Sequence, residues 1–268
     1  MTLPPLAVTT AVKPTAETEG QARALAGEMD APFIPRLARA LPALLAATGA
    51  ARLLVVGAGR LRLHDGDTGA AYFFHPNMFL VRGSAFLHGQ PDHFLEATGL
   101  CAGDRLLDCT LGFASEASLA ALAVGPAGVV VGLESEPALA AVTRVGLRAF
   151  PMSSPVLAEA MRRVRVVRAD YRLYLAACEP AAFDAVYFDP FFPERLSGSE
   201  ASVSPLFVFG NPAPLDPHSV QEALRVARRR VVIKHPRHAP LPPPLTEMVT
   251  ESVGSRKSRV VYSVLRVP

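Results

Sequence analysis

The chain has 268 residues, half of them hydrophobic, and a formal charge of +3. That length and composition exclude general disorder and suffice for one large domain, or one domain with a small appendage, without a metal or disulfide to hold it. Cys101, Cys109 and Cys178 are odd in number and show no CxxC spacing, no apolar run reaches the roughly 18 residues of a membrane span, and Met1 to Thr10 lacks the charged start and apolar core of a signal peptide. A reducing cytoplasm is the expected setting.

Leu6 to Val12 reads as a strand, and Pro14-Thr15 leads into a helix with Glu17 and Glu19 near its start, where negative charge suits the helix dipole. Leu37 to Ala47 repeats the apolar helical period. Arg52 to Val56 is a short buried strand, and the alternation of Leu61 to His64 makes its hairpin partner. Gly57-Ala58-Gly59 between them is a turn. A dinucleotide fingerprint would need a helix to follow it, and a strand follows instead. Phe73 to Met78 closes a small N-terminal α/β unit, residues 1–76. Asn77 to Leu100 reads as a helical connection broken near Gly89-Gln90-Pro91, and it opens a larger unit, residues 77–268.

From Cys101 onward, short apolar runs alternate with segments of helical length. Strands are expected at Arg105–Asp108, Gly128–Val131, Val164–Val167, Ala185–Phe188 and Arg230–Ile233. Helices are expected at Ser115–Ala123, Pro137–Ala149 and from Asp216 to Ala227, the last with Asp216 as N-cap and Pro217 in its first turn. Thr246–Ser252 and Arg259–Leu265 read as two extended segments around Gly254. The pattern is that of an α/β fold with a mostly parallel sheet, helices on both faces and an antiparallel hairpin at one edge.

In such sheets a ligand lies beyond the carboxyl ends of the strands. The first strand runs into Asp108-Cys109-Thr110-Leu111-Gly112, a small-residue turn whose Gly112 permits close backbone approach, with Asp108 placed to hold a cationic amino-acid group. The second ends in Glu134, suited to accept both hydroxyls of a ribose. The third ends in Asp170, suited to accept an adenine amino group. Each of these alone reads equally well as a solvated strand end or a tight connection. Together they form an acidic rim that repels phosphate, and no GK(S/T) element follows the turn. A positively charged, phosphate-free nucleoside is favoured, and S-adenosylmethionine fits that description.

The fourth strand ends in Asp189-Pro190-Phe191-Phe192. An exocyclic amine conjugated with a base is a poor nucleophile. Asp189 and the Pro190 carbonyl can both accept its N–H bonds and localise the lone pair towards a methyl donor. Pro190 stiffens the turn, Phe191 stands beside the substrate, and Phe192 can stack on a flat base. Transfer is then chiefly a matter of positioning, with no metal required. Lys234, at the end of the fifth strand, is a candidate contact to the substrate base or phosphate. Arg228-Arg229-Arg230, Arg256, Lys257 and Arg259 offer electrostatic contacts to RNA, or equally a solvated cationic face.

In order and spacing, Leu107 to Gly112, Leu133-Glu134, Ala169-Asp170, Tyr187 to Pro193 and Val231 to Pro236 resemble the class I methyltransferase domain of the J-type family of small-subunit ribosomal RNA guanine-N2 methyltransferases. Within it, Phe73-Phe74-His75-Pro76-Asn77-Met78 and Asp108-Cys109-Thr110-Leu111-Gly112 are similar to the YpiP-like branch. The resemblance covers roughly residues 73–268. It implies a Rossmann-like fold, S-adenosylmethionine as cofactor and small-subunit rRNA as partner. It also implies Ser115, Glu116, Ser135 and Tyr171 as donor contacts beside Asp108, Thr110, Gly112, Glu134, Asp170 and Asp189. The chain departs from the general class I pattern at Thr110 and Ala114, where glycines are usual, and from the J-type pattern at Ser115-Glu116 and Phe191, where Arg-Asp and Met are usual. A methyltransferase acting on a small molecule or protein, and a non-catalytic RNA-binding or ribosome-assembly protein that keeps the fold, stand as the alternatives.

Overall fold

A computed structural model describes residues 5–191 and 205–267. It contains two sheets. The first is four-stranded, in the order β1 (Leu6–Thr10), β2 (Arg52–Gly57), β3 (Arg60–Asp65) and β4 (Ala71–Phe73); β1 and β2 are parallel and the remaining pairs antiparallel. Ala58-Gly59 forms the two-residue turn of the β2–β3 hairpin. Helix α1 (Ala16–Glu28) begins at a capping box in which the Thr15 and Thr18 hydroxyls each accept the other residue's backbone N–H. Helix α2 (Leu41–Thr48) begins four residues later than the apolar period predicts, because Leu37 and Ala38 both take positive φ, 44° and 58°.

Helices α3 (Asn77–Leu87) and α4 (His93–Thr98) form the connection, and the break falls at the expected Gly89-Gln90-Pro91. The second sheet has seven strands in the order β10-β11-β9-β8-β5-β6-β7. Strands β5 (Arg105–Asp108), β6 (Val129–Glu134), β7 (Val164–Arg168), β8 (Phe183–Phe188) and β9 (Ala227–Pro236) run parallel. β11 (Val260–Arg266) lies antiparallel between β9 and the short β10 (Glu251–Val253), the predicted edge hairpin. The extended segment expected over Thr246–Ser252 is corrected in its first half. Residues Leu245–Met248 form a 3-10 turn after the prolines, and extension begins only at Glu251.

Helices α5 (Ser115–Val124), α6 (Pro137–Ala149), α7 (Pro155–Arg163), α8 (Tyr171–Ala177) and α10 (Pro217–Val226) cover the sheet, and α9 (Pro205–Phe209) packs on β4 of the first sheet. Because β5 neighbours both β6 and β8, the chain reverses its direction of travel across the sheet between β5 and β8. That switch point opens a crevice at the strand ends Asp108 and Phe188-Asp189.

One core joins the two sheets: Leu54, Leu63, Tyr72 and Phe74 of the N-terminal unit pack in the same cluster as Leu106, Leu139 and Leu147. Gly146 on α6 is what lets Phe74 in. A Cβ there would lie 2.1 Å from the Phe74 Cγ atom. Gly146→Val is therefore expected to destabilise the protein by about 1–3 kcal/mol through overpacking, measured as a lower denaturant midpoint; an unchanged midpoint would show that the Phe74 ring yields freely. Among the described residues no helix is long and apolar enough to cross a membrane.

Candidate active site

A cavity of about 630 Å³ occupies the switch point. Every described residue singled out at the strand ends lines it: Asp108, Thr110, Gly112, Ser115, Glu116, Glu134, Ser135, Asp170, Tyr171, Asp189, Pro190, Phe191 and Lys234 are all in its wall, and Phe192 lies outside the described residues.

The β5 end is a tight turn. Gly112 takes φ +50°, and Ala114 is also left-handed at φ 57°, a strain of roughly 1–2 kcal/mol for a residue with a Cβ. Asp108 is fully buried, and its Oδ1 accepts the Thr110 N–H at 3.0 Å. Burial pushes its carboxyl up to about 8. Glu134 accepts the Glu136 N–H at 3.0 Å, and burial pushes its carboxyl up to about 7. Both acids are held by backbone amides and penalised by desolvation. A ligand carrying positive charge and hydroxyl donors supplies what they lack, so the wall fits the donor end of S-adenosylmethionine. Asp170 is differently occupied: its Oδ1 accepts the Arg172 N–H at 2.9 Å as the N-cap of α8, and its Oδ2 lies 3.8 Å from the Arg172 guanidinium.

The acceptor side is built around Asp189. Its backbone N–H donates to the Thr110 hydroxyl at 2.6 Å, which ties the β8 turn to the β5 turn. Thr110 thus has a structural use for the side chain it carries in place of a glycine. Lys234 Nζ donates to Asp189 Oδ2 at 2.7 Å and to Glu116 Oε1 at 3.3 Å. Arg82 on α3 donates to Glu116 Oε1 at 2.9 Å and forms a bidentate pair with Asp92 at 2.8 and 2.9 Å. Five charges of alternating sign, Asp92, Arg82, Glu116, Lys234 and Asp189, therefore run in one line along the wall. Lys234 and Arg82 hold the Glu116 carboxyl well below the usual carboxylate range, and Asp189 with Glu116 pushes the Lys234 ammonium up. The other Asp189 oxygen, Oδ1, is buried and has no hydrogen-bond partner among the described residues.

Glu116, expected among the donor contacts, is thus engaged with the cations of the acceptor side. Arg82 and Asp92 escaped the sequence reading. The signal was there: Arg82 falls at i+3 from Phe79, in the apolar stripe of α3 that also holds Gly83 and Phe86, where an unpaired cation would be costly. Phe191 and Phe207 face each other with ring centroids 5.0 Å apart, and both line the cavity.

The model of the SAM-dependent methyltransferase family matches residues 44–262. The chain belongs to that family. It is 37% identical over 227 residues to the uncharacterized protein YpiP of Bacillus subtilis (strain 168), covering 85% of this chain and 87% of that one. It is 27% identical over 197 residues to the ribosomal RNA small subunit methyltransferase J of Nitrosococcus oceani, covering 69% and 73%. Among solved structures, the SAM-dependent methyltransferase NGO1261 from Neisseria gonorrhoeae superposes with a TM-score of 0.62 at 16% identity, over 97% of this chain and 95% of that chain, a likeness of fold. The chain is a SAM-dependent methyltransferase with a Rossmann-like domain.

For this methyltransferase the two raised acids set a pH dependence. A ribose hydroxyl donates better to a carboxylate than to a carboxylic acid, so with Glu134 as the ribose acceptor, donor binding is expected to prefer its ionised form. With the free carboxyl near 7, the affinity for S-adenosylmethionine is expected to rise with pH up to about 7 and then level, except for any further gain as Asp108 ionises near 8. Calorimetric titration across pH 5.5–8.5 checks this. Glu134→Gln should flatten the lower part of the profile, and an unaltered profile in that variant removes Glu134 from the donor site.

Proposed function

We propose that this methyltransferase transfers a methyl group to the exocyclic amine of a guanine in small-subunit ribosomal RNA. The observation that carries the reading is the Asp189 side chain, which lines the cavity: one carboxylate oxygen is held by Lys234, and the other is buried without a hydrogen-bond partner among the described residues. Asp108, Gly112, Ser115, Glu134, Ser135, Asp170 and Tyr171 hold S-adenosylmethionine in this reading, and its sulfonium supplies an electrophilic methyl when bound. The target base stacks against Phe191, whose ring is backed by Phe207 at 5.0 Å. Its amine donates one N–H to Asp189 Oδ1 and the other to the Pro190 carbonyl, which fixes the nitrogen and turns its lone pair to the methyl carbon. As the nitrogen–carbon bond forms, the carbon–sulfur bond breaks and the nitrogen gains positive charge; Asp189 is placed to take the proton it then sheds. Lys234 holds Asp189 in orientation without competing for Oδ1.

Two acceptors at one point suit an exocyclic amine, and guanine carries its N1–H donor on one side of that amine where adenine and cytosine carry a ring acceptor. The match to proteins named ribosomal RNA small subunit methyltransferase J supports small-subunit ribosomal RNA as the acceptor. The test is transfer of a labelled methyl group from S-adenosylmethionine, offered in parallel to small ribosomal subunits, their naked RNA, a metabolite extract and total protein. Label recovered as N2-methylguanosine is the expected result. Label confined to the extract or to protein overturns the reading.

A further inference from the structure

The rings of the N-terminal unit run out from the cavity as a ladder. Tyr72 is fully buried and its hydroxyl donates to the Gly112 carbonyl at 3.2 Å, in the turn assigned above to the donor. Phe113, in the cavity wall, stacks on Tyr72 at 4.8 Å and 23°. His75 lies 4.3 Å from Phe113 on its outward side, and Phe73 lies 5.8 Å from His75. The Arg62 guanidinium ends the series, 5.1 Å over the Phe73 ring, from the neighbouring position across the β3–β4 pair.

Two features set this ladder apart from core packing. Phe73 remains 45% exposed on an edge strand, and Met78, which lines the same cavity, is 59% exposed. The His75 Nδ1 atom is buried without a hydrogen-bond partner, and burial lowers the ring's proton affinity, so the imidazole is a neutral flat surface rather than a cation. The outer end is positive: Arg60 and Arg62 are exposed on the same face of β3, and the Arg62 and Arg36 charges add to burial in driving the proton off His64. A run of aromatic rings that ends in arginine suits unpaired nucleotides, whose bases stack on an exposed ring while the phosphate meets the guanidinium.

We propose that Phe73, His75 and Arg62 form a stacking subsite for the unpaired nucleotide next to the target guanine, so that the N-terminal unit presents the RNA to the transfer site. Phe73 receives the neighbouring base on its exposed face, and Arg62 takes that nucleotide's phosphate. Because the innermost rung is tied to Gly112, RNA seated on the ladder bears on the turn that holds the donor. The proposal rests on RNA being the substrate, and its test separates the two ideas.

The probe is a fluorescently labelled single-stranded oligoribonucleotide of about 12 nucleotides, within the usual site size for such binding, titrated by anisotropy against the full chain. Phe73→Leu keeps apolar bulk and removes the ring; it should weaken RNA binding about tenfold, while Phe73→Trp restores it. Arg62→Ala should weaken binding and flatten its salt dependence. The affinity for S-adenosylmethionine and the thermal midpoint of all three variants should match the parent. Unchanged RNA affinity in Phe73→Leu, with methyl transfer to RNA intact, overturns the ladder and leaves the substrate reading standing. A parent protein that neither binds RNA nor methylates it overturns both.

Discussion

Asp189→Asn is expected to reduce methyl transfer by about 10²–10³-fold while changing the affinity for S-adenosylmethionine by no more than about threefold. The asymmetry follows from the two carboxylate oxygens. Lys234 requires an acceptor at 2.7 Å, so the amide of an asparagine must turn its oxygen to Lys234 and its NH2 group into the cavity. At the position where the parent presents an unpartnered acceptor, the variant presents a donor, which repels an incoming amine. The backbone bond from residue 189 to the Thr110 hydroxyl is untouched, so the turn keeps its shape. Single-turnover rates beside calorimetric donor affinities check the split. Loss of donor binding in proportion to rate would move Asp189 from the acceptor side to the donor side.

Lys234→Met is expected to cost about 3–5 kcal/mol of stability, because it strips one partner from a buried charge line. For a chain of this length that is a fall in Tm on the order of 10 °C. Asp189 loses its cation outright, whereas Glu116 keeps Arg82 at 2.9 Å. The pairing is also legible against pH. Glu116 and Asp92 are held below their ordinary values, so their contribution is complete above those values and drains as pH falls through the lowered ones. Without Lys234, Glu116 is depressed less, and acid unfolding begins at higher pH. Adding Asp189→Asn to Lys234→Met should recover part of the lost stability, since it removes the orphaned charge. Strict additivity of the two substitutions would contradict the pair's coupling.

The strand ends were legible in the sequence because a buried parallel strand is an apolar run, and its last residue is the first one free to be polar. Asp108, Glu134 and Asp189 announced themselves in that way, and the structure brings them to one cavity. Helix α7 and helix α8 were not read. Both are short, and both start at polar residues with other readings: Ser154 before Pro155, and Asp170, which caps α8 and also lines the cavity. The charge line stayed hidden for a different reason. Glu116 meets Lys234 across 118 residues of chain and Arg82 across 34, and no local periodicity encodes which cation a buried acid will find. The same holds for the Thr110–Asp189 bond, which spans 79 residues. Only the misplaced cation in the apolar stripe of α3 carried a local trace of it.

The central claim is that this methyltransferase modifies a guanine of small-subunit ribosomal RNA through Asp189. The most direct measurement is mass spectrometry of the nucleosides of that RNA from a strain lacking the gene, complemented with the parent chain or with Asp189→Asn. The account predicts one methylated guanosine that disappears in the deletion, returns with the parent and does not return with the variant. A nucleoside profile identical in all of these strains would contradict it.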